Sequence, residues 1–219
     1  MIARIFPIKL QIVSAVLLVL FVSLAASPLQ AQAKQTRIIA FGDSLTAGYG
    51  LSAADAFPAR LEQALRQRGH DIVIVNAGVS GDTASAGLAR LDWTLAEGGD
   101  AVILELGAND ALRGIDPAQT RAALDAIMTE LRRRNLPVLI AGMAAPRNLG
   151  DAYVADFDSI YPELAQKYEA LLYPFFLDGV ATDPALNQGD GLHPTPQGVD
   201  IIVARILPKV EALIERVEK

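Results

Sequence analysis

The chain has 219 residues, 52% of them hydrophobic and 20% charged, with 19 Lys and Arg set against 25 Asp and Glu for a formal net charge of −6. This acidic balance excludes a nucleic-acid surface of the usual basic kind; the one basic run, Arg132-Arg133-Arg134, falls at a predicted helix end, where cations suit the macrodipole. There is no cysteine and there are only two histidines, which excludes disulfides and a lipid-modified cysteine and leaves a nitrogen- or sulfur-ligated zinc site poorly supplied.

The first 33 residues read as a secretory signal: Arg4 and Lys9 precede an apolar run from Ile12 to Ala26, and Ala31-Gln32-Ala33 follows. The run is shorter than the roughly 20 apolar residues of a spanning helix. Cleavage near Ala33 predicts a periplasmic or secreted protein of one domain, residues 34–219, with 17 basic residues facing 25 acidic ones.

From there, strand-like runs alternate with helix-like ones. Thr36 to Phe41, Ile72 to Asn76, Ala101 to Leu106 and Pro137 to Ala141 are short, apolar and rich in Val and Ile. Between them, Phe57 to Arg68, Ala84 to Ala96 and Pro117 to Arg134 carry helical spacing, the last opening on an Asp116-Pro117 cap signal. Further on, the pattern predicts one helix over Ala152 to Leu171, a strand over Leu172 to Phe176, and a final helix in which Pro208 is expected to make a kink or a break. Apolar strands separated by helices give an α/β fold, a three-layer α/β/α sandwich around a parallel sheet.

The chemistry gathers where strands end. Ser44 follows the first strand in Gly42-Asp43-Ser44, at the edge where open α/β sheets bind ligands. A serine hydroxyl needs a base, an acid to orient that base, and donors for the developing oxyanion. His70 precedes the second strand and so falls at the opposite edge, which leaves His193 as the base; Asp190, three residues earlier, can accept from its imidazole. Candidate oxyanion donors are the Ser44 backbone N–H, the Gly81 N–H in Gly78-Val79-Ser80-Gly81-Asp82, and the Asn109 amide in Gly107-Ala108-Asn109-Asp110. Asp43, Asp82 and Asp110 are expected to tie their own loops.

The four blocks FGDSLTAGYG, NAGVSGDTA, LELGANDALRG and DGLHP resemble, in order and spacing, the signature blocks of the SGNH, or GDSL, hydrolase family. GLARL, NDALRG and Ile160-Tyr161-Pro162 are most similar to the branch of periplasmic bacterial enzymes with thioesterase, lysophospholipase and arylesterase activity. The resemblance implies a flavodoxin-like fold, Ser44 as nucleophile with Asp190 and His193 completing the triad, and Gly81 and Asn109 as oxyanion donors. It implies hydrolysis of acyl esters and thioesters with no metal or cofactor, a small-molecule substrate with transient lipid contact, and no obligate protein partner. Two positions depart from the common pattern, Ala108 within Gly-Ala-Asn-Asp and Leu149 where relatives often carry tyrosine. An acyl crevice is expected along Leu112, Ile115, Met143, Pro146, Leu149 and Leu192. A carbohydrate acetylesterase and an acyltransferase are alternatives of the same class, and a non-catalytic periplasmic binding protein one of another. A nucleotide binder fails, since neither G-x-G-x-x-G nor a P-loop is present.

Overall fold

A computed structural model describes residues 35–218. The expected signal segment, residues 1–33, lies outside the described residues, and no described helix is long and apolar enough to cross a membrane.

Five strands, β1 (Thr36–Gly42), β2 (Ile72–Gly78), β3 (Ala101–Glu105), β4 (Val138–Ala141) and β5 (Leu171–Tyr173), form one parallel sheet in the order β2-β1-β3-β4-β5. This is the flavodoxin-like order, in which the chain reverses direction across the sheet between β1 and β3. β3 is buried over its whole length, as a strand covered on both faces should be. The register sets Gly42 opposite both Gly78 and Glu105, so β2, β1 and β3 end level with one another and release their loops at one place.

The helices are α1 (Ser44–Ala47), α2 (Phe57–Gln67), α3 (Ala84–Thr94), α4 (Ala108–Leu112), α5 (Pro117–Arg133), α6 (Asp151–Asp158), α7 (Ile160–Tyr168) and α8 (Pro196–Val217). α2 packs on α8, while α3 packs on α5, which also carries α6 and α7. Right-handed crossovers put these two groups on opposite faces of the sheet, giving the expected three layers. Each long helix presents an apolar stripe inward: Leu61 and Leu65 from α2, Leu124, Ile127 and Leu131 from α5, and Val199, Ile202, Ile206, Val210 and Leu213 from α8. As expected, the Asp116 carboxylate caps α5 by accepting from the Ala118 N–H at 2.9 Å.

Three sequence expectations are corrected. The single helix over Ala152 to Leu171 is two, α6 and α7, meeting at Ser159. Pro162 explains the restart, because in the first turn of a new helix its missing N–H costs no hydrogen bond. β5 starts one residue earlier and stops at Tyr173, before Pro174, which cannot donate to a ladder. The break admitted at Pro208 does not occur, since α8 runs through it and the buried stripe on both sides outweighs one lost backbone bond.

Gly42 is the tightest point of the sheet edge. A Cβ there would fall on Thr46 Oγ1, 2.5 Å from Glu105 Oε2 and 2.6 Å from the Glu105 carbonyl oxygen. The backbone contact cannot move without disturbing the β1–β3 ladder. Gly42→Ala is therefore expected to destabilise the fold by about 1–3 kcal/mol, read as a lower urea midpoint at unchanged m.

Candidate active site

Ser44 opens α1 directly after β1, with its side chain turned into the crevice above the sheet edge and 9% of the residue exposed. Asp43 fixes the turn: its carboxylate accepts from the Leu45 N–H at 3.0 Å and caps the short helix. Below it, Glu105 at the end of β3 accepts from Thr46 Oγ1 at 2.7 Å and from the Asp43 N–H at 3.4 Å.

His193 reaches this turn from the other end of the chain. Its Nε2 stands 2.9 Å from Ser44 Oγ, and its Nδ1 stands 2.6 Å from Asp190 Oδ2. The second Asp190 oxygen accepts from the N–H groups of Leu192 at 2.9 Å and His193 at 3.1 Å, so one carboxylate orients both the ring and the backbone that carries it. The loop closes on itself through the Gln188 N–H, which donates to the His193 carbonyl at 2.7 Å. Gln188 Nε2 then ties it to the Tyr49 carbonyl at 2.7 Å, on the loop after α1. The Tyr49 ring packs against the imidazole with centroids 4.5 Å apart. His70, by contrast, lies at the opposite edge, 3.5 Å from Glu211.

Three loops meet at Asn109. Its Nδ2 donates to Asp43 Oδ2 and to the Asp82 carbonyl, each at 3.0 Å, joining the turn after β1 to the loop after β2. Both amide hydrogens are thus engaged, and an oxyanion at Ser44 would receive one of them by sharing it or by displacing the Asp82 carbonyl. Gly81 has φ +87, a left-handed conformation that asks for glycine, while a Cβ there would meet nothing closer than Arg113 at 3.7 Å. The requirement is conformational rather than steric. Of the three aspartates expected to tie their own loops, Asp43 does so; Asp82 instead accepts from Arg90 Nε on α3 at 2.6 Å, and Asp110 reaches across to the Ala84 N–H at 2.9 Å and to Thr120 Oγ1 on α5 at 3.0 Å.

Residues 40–201 match the GDSL-like Lipase/Acylhydrolase family. The chain belongs to that family. It is 39% identical over 181 residues to an arylesterase of Vibrio mimicus, covering 82% of this chain and 88% of the relative. To Thioesterase 1/protease 1/lysophospholipase L1 of Escherichia coli it is 36% identical over 195 residues, 89% of this chain and 92% of the relative. Among solved structures, AlinE4, described as an SGNH-hydrolase family esterase, is 49% identical with a TM-score of 0.71 over 83% of this chain and 98% of its own. The family assignment makes this chain an acylhydrolase-type enzyme, and the fold is that of SGNH hydrolases.

Ser44, Asn109 and His193 face a cavity of about 540 Å³. Leu112, Met143, Pro146 and Leu192 line it as expected. Ile115 and Leu149 do not: the Ile115 carbonyl accepts from the Tyr153 hydroxyl on α6, and Leu149 ends the 3₁₀ turn Arg147–Leu149, beyond the wall formed by Pro146 and Arg147. The far wall, missed from the sequence, comes from Phe175, Leu177, Ala181 and Thr182 after β5. Thr182 holds φ +68, rare for a β-branched residue. Among the described residues, no cluster of three or more His, Cys, Asp or Glu is placed to hold a metal ion.

The acids divide by environment. Asp190, on the surface, is lowered to about 2, first by the Leu192 N–H and then by the His193 ring and N–H. Asp43 is raised to about 6 by burial, against the pull of the Leu45 N–H, the Asn109 amide and nearby His193. Glu105 is raised well above its ordinary range, first by complete burial and then by the Asp43 charge, and its Oε1 has no partner. A buried carboxyl with an unpartnered oxygen is pushed toward its protonated form. Because its folded value lies above the unfolded one of 4.5, its contribution to stability is full below that pH and is lost as pH rises through the folded value. The stability difference between wild type and Glu105→Gln is therefore expected to move in the variant's favour above pH 4.5, by up to about 1.4 kcal/mol per pH unit. Urea titrations from pH 4.5 to 8.5 measure it, and a flat difference would mean that Glu105 titrates normally.

Proposed function

We propose that this chain is an exported serine esterase that cleaves carboxylic esters and acyl thioesters through an acyl-enzyme on Ser44. The observation that carries the reading is the bridge made by His193, 2.9 Å from Ser44 Oγ on one side and 2.6 Å from Asp190 on the other. In this reading His193 Nε2 takes the proton of Ser44 as Oγ attacks the acyl carbonyl, and Asp190, held ionised, stabilises the imidazolium. The carbonyl oxygen becomes an oxyanion held by the Ser44 and Gly81 N–H groups and by an Asn109 hydrogen drawn from the Asp82 carbonyl. His193 returns the proton to the departing alcohol or thiol. Water, deprotonated by the same imidazole, attacks the acyl-enzyme and releases the acid and the serine.

The relatives named arylesterase and thioesterase/lysophospholipase support aryl esters, acyl thioesters and lysophospholipids as the substrate range. The largely apolar cavity supports an acyl chain lying against Leu112, Met143, Leu192 and the wall after β5. The apolar segment near the amino terminus supports export to the periplasm.

Ser44→Ala is expected to abolish turnover of p-nitrophenyl butyrate and of a short acyl thioester, with the thermal unfolding midpoint kept; residual turnover near that of wild type would sink the mechanism. Asn109→Ala is expected to lower kcat by about 10²-fold with little change in KM. A loss confined to KM would make Asn109 a substrate-binding residue instead.

A further inference from the structure

Arg90, in the GLARL run on α3, takes no part in the chemistry above, yet its side chain is only 17% exposed and makes more directed contacts than any role in packing α3 requires. Its Nε donates to Asp82 Oδ2 at 2.6 Å, one terminal nitrogen donates to the Gly42 carbonyl at 2.9 Å, and the other donates to Thr94 Oγ1 at 3.2 Å. The guanidinium also lies 4.3 Å from the centre of the Phe41 ring. Thr94, one turn along the same helix, donates to the Arg90 carbonyl at 3.1 Å, which braces the end of the fork.

What this fork joins is the point. Gly42 is two residues before Ser44, and Asp82 is the residue after Gly81. The two backbone N–H groups assigned to the oxyanion therefore sit on separate loops whose bases are bolted to one rigid plane. The Gly42 carbonyl also accepts from the Val79 N–H at 3.0 Å, so the same oxygen fastens the start of the Gly81 loop. Oxyanion donors work only when aimed to within a few tenths of an ångström. A planar guanidinium with fixed donors can set such a spacing, whereas a lysine ammonium on a flexible stem cannot.

We propose that Arg90 is a positioning residue for the oxyanion hole, fixing the Ser44 N–H and the Gly81 N–H relative to each other through the Gly42 carbonyl and the Asp82 carboxylate. The inference rests on the reading of Ser44 as nucleophile. It predicts an effect on the transition state and none on the acyl pocket, because no Arg90 contact reaches the residues that line the cavity.

The test compares Arg90→Lys and Asp82→Asn with wild type on p-nitrophenyl butyrate, with rates expressed per site titrated by a fluorophosphonate so that misfolded protein drops out. Arg90→Lys is expected to lower kcat at least about ten-fold with KM within two-fold, and to weaken inhibition by an alkyl boronic acid, which mimics the tetrahedral species, by a similar factor. Asp82→Asn, which keeps the bond to Gly42, is expected to lose less. The double variant should be no more than about two-fold worse than Arg90→Lys, since both act through one fork. Unchanged kcat per titrated site in Arg90→Lys, or singles that multiply in the double variant, would overturn the inference while Ser44→Ala remained inactive. Wild-type-like turnover by Ser44→Ala would overturn the nucleophile, and the inference with it.

Discussion

β1 lies between β2 and β3, and all three strands end at the same level, with Gly42 paired to Gly78 on one side and to Glu105 on the other. The Ser44 turn, the Gly81 loop and the Asn109 helix start all depend on this, because the loops that leave these ends open into the same crevice. The turn carrying Ser44, the loop carrying Gly81 and the helix start carrying Asn109 then need only short side-chain bonds to be fixed against one another. The Asn109 amide supplies two of them, to Asp43 and to the Asp82 carbonyl. The absence of a Cβ at Gly42 leaves room for the Glu105 carboxyl to come up underneath and hold Thr46. The glycine and the buried acid are one packing solution.

The carboxyls around Ser44 show how position sets charge. Asp190 stands on the surface, receives two backbone N–H groups and the imidazole, and stays ionised to a pH of about 2. Asp43 and Glu105 stand beneath the nucleophile in a dry environment, and burial drives both upward. The negative charge best able to stabilise an imidazolium is therefore on the far side of His193 from Ser44, while burial pushes the acid directly below the serine turn toward its protonated form. This division sets the ionised acid beside the base and the two upward-shifted acids beneath the nucleophile. It also costs stability at neutral pH, since buried acids with raised values resist ionisation.

Much of this was legible in the sequence, for physical reasons that differ by residue. The strands could be read because parallel strands buried on both faces are apolar throughout. Asp190 and His193 could be paired because they are three residues apart. His193 could be joined to Ser44, 149 positions away, only because the single other histidine falls before a strand rather than after one. Glu105 went unnoticed inside the Ala101 to Leu106 strand, because its role appears only when β1 is laid beside it and brings Thr46 and the Asp43 N–H to its carboxylate. Arg90 stood only within the GLARL run, with nothing local to show that its guanidinium reaches the end of β1. Ile115 and Leu149 were among the apolar residues from which the crevice lining was expected, Leu149 because its loop was expected to border the crevice. The loop does border the cavity, but through Pro146 and Arg147, and the Arg147–Leu149 turn carries Leu149 past that wall. The wall that replaces them, from Phe175 to Thr182, belongs to an irregular loop with no periodicity to read.

Covalent capture singles out the nucleophile among the serines of the chain. The protein, treated with a fluorophosphonate and digested, should yield a single phosphonylated peptide per chain with the adduct on Ser44, and labelling should vanish in His193→Ala and in urea-unfolded protein. An adduct on another residue such as Ser80, or ester turnover that persists after stoichiometric labelling of Ser44, would rule out Ser44 as the nucleophile.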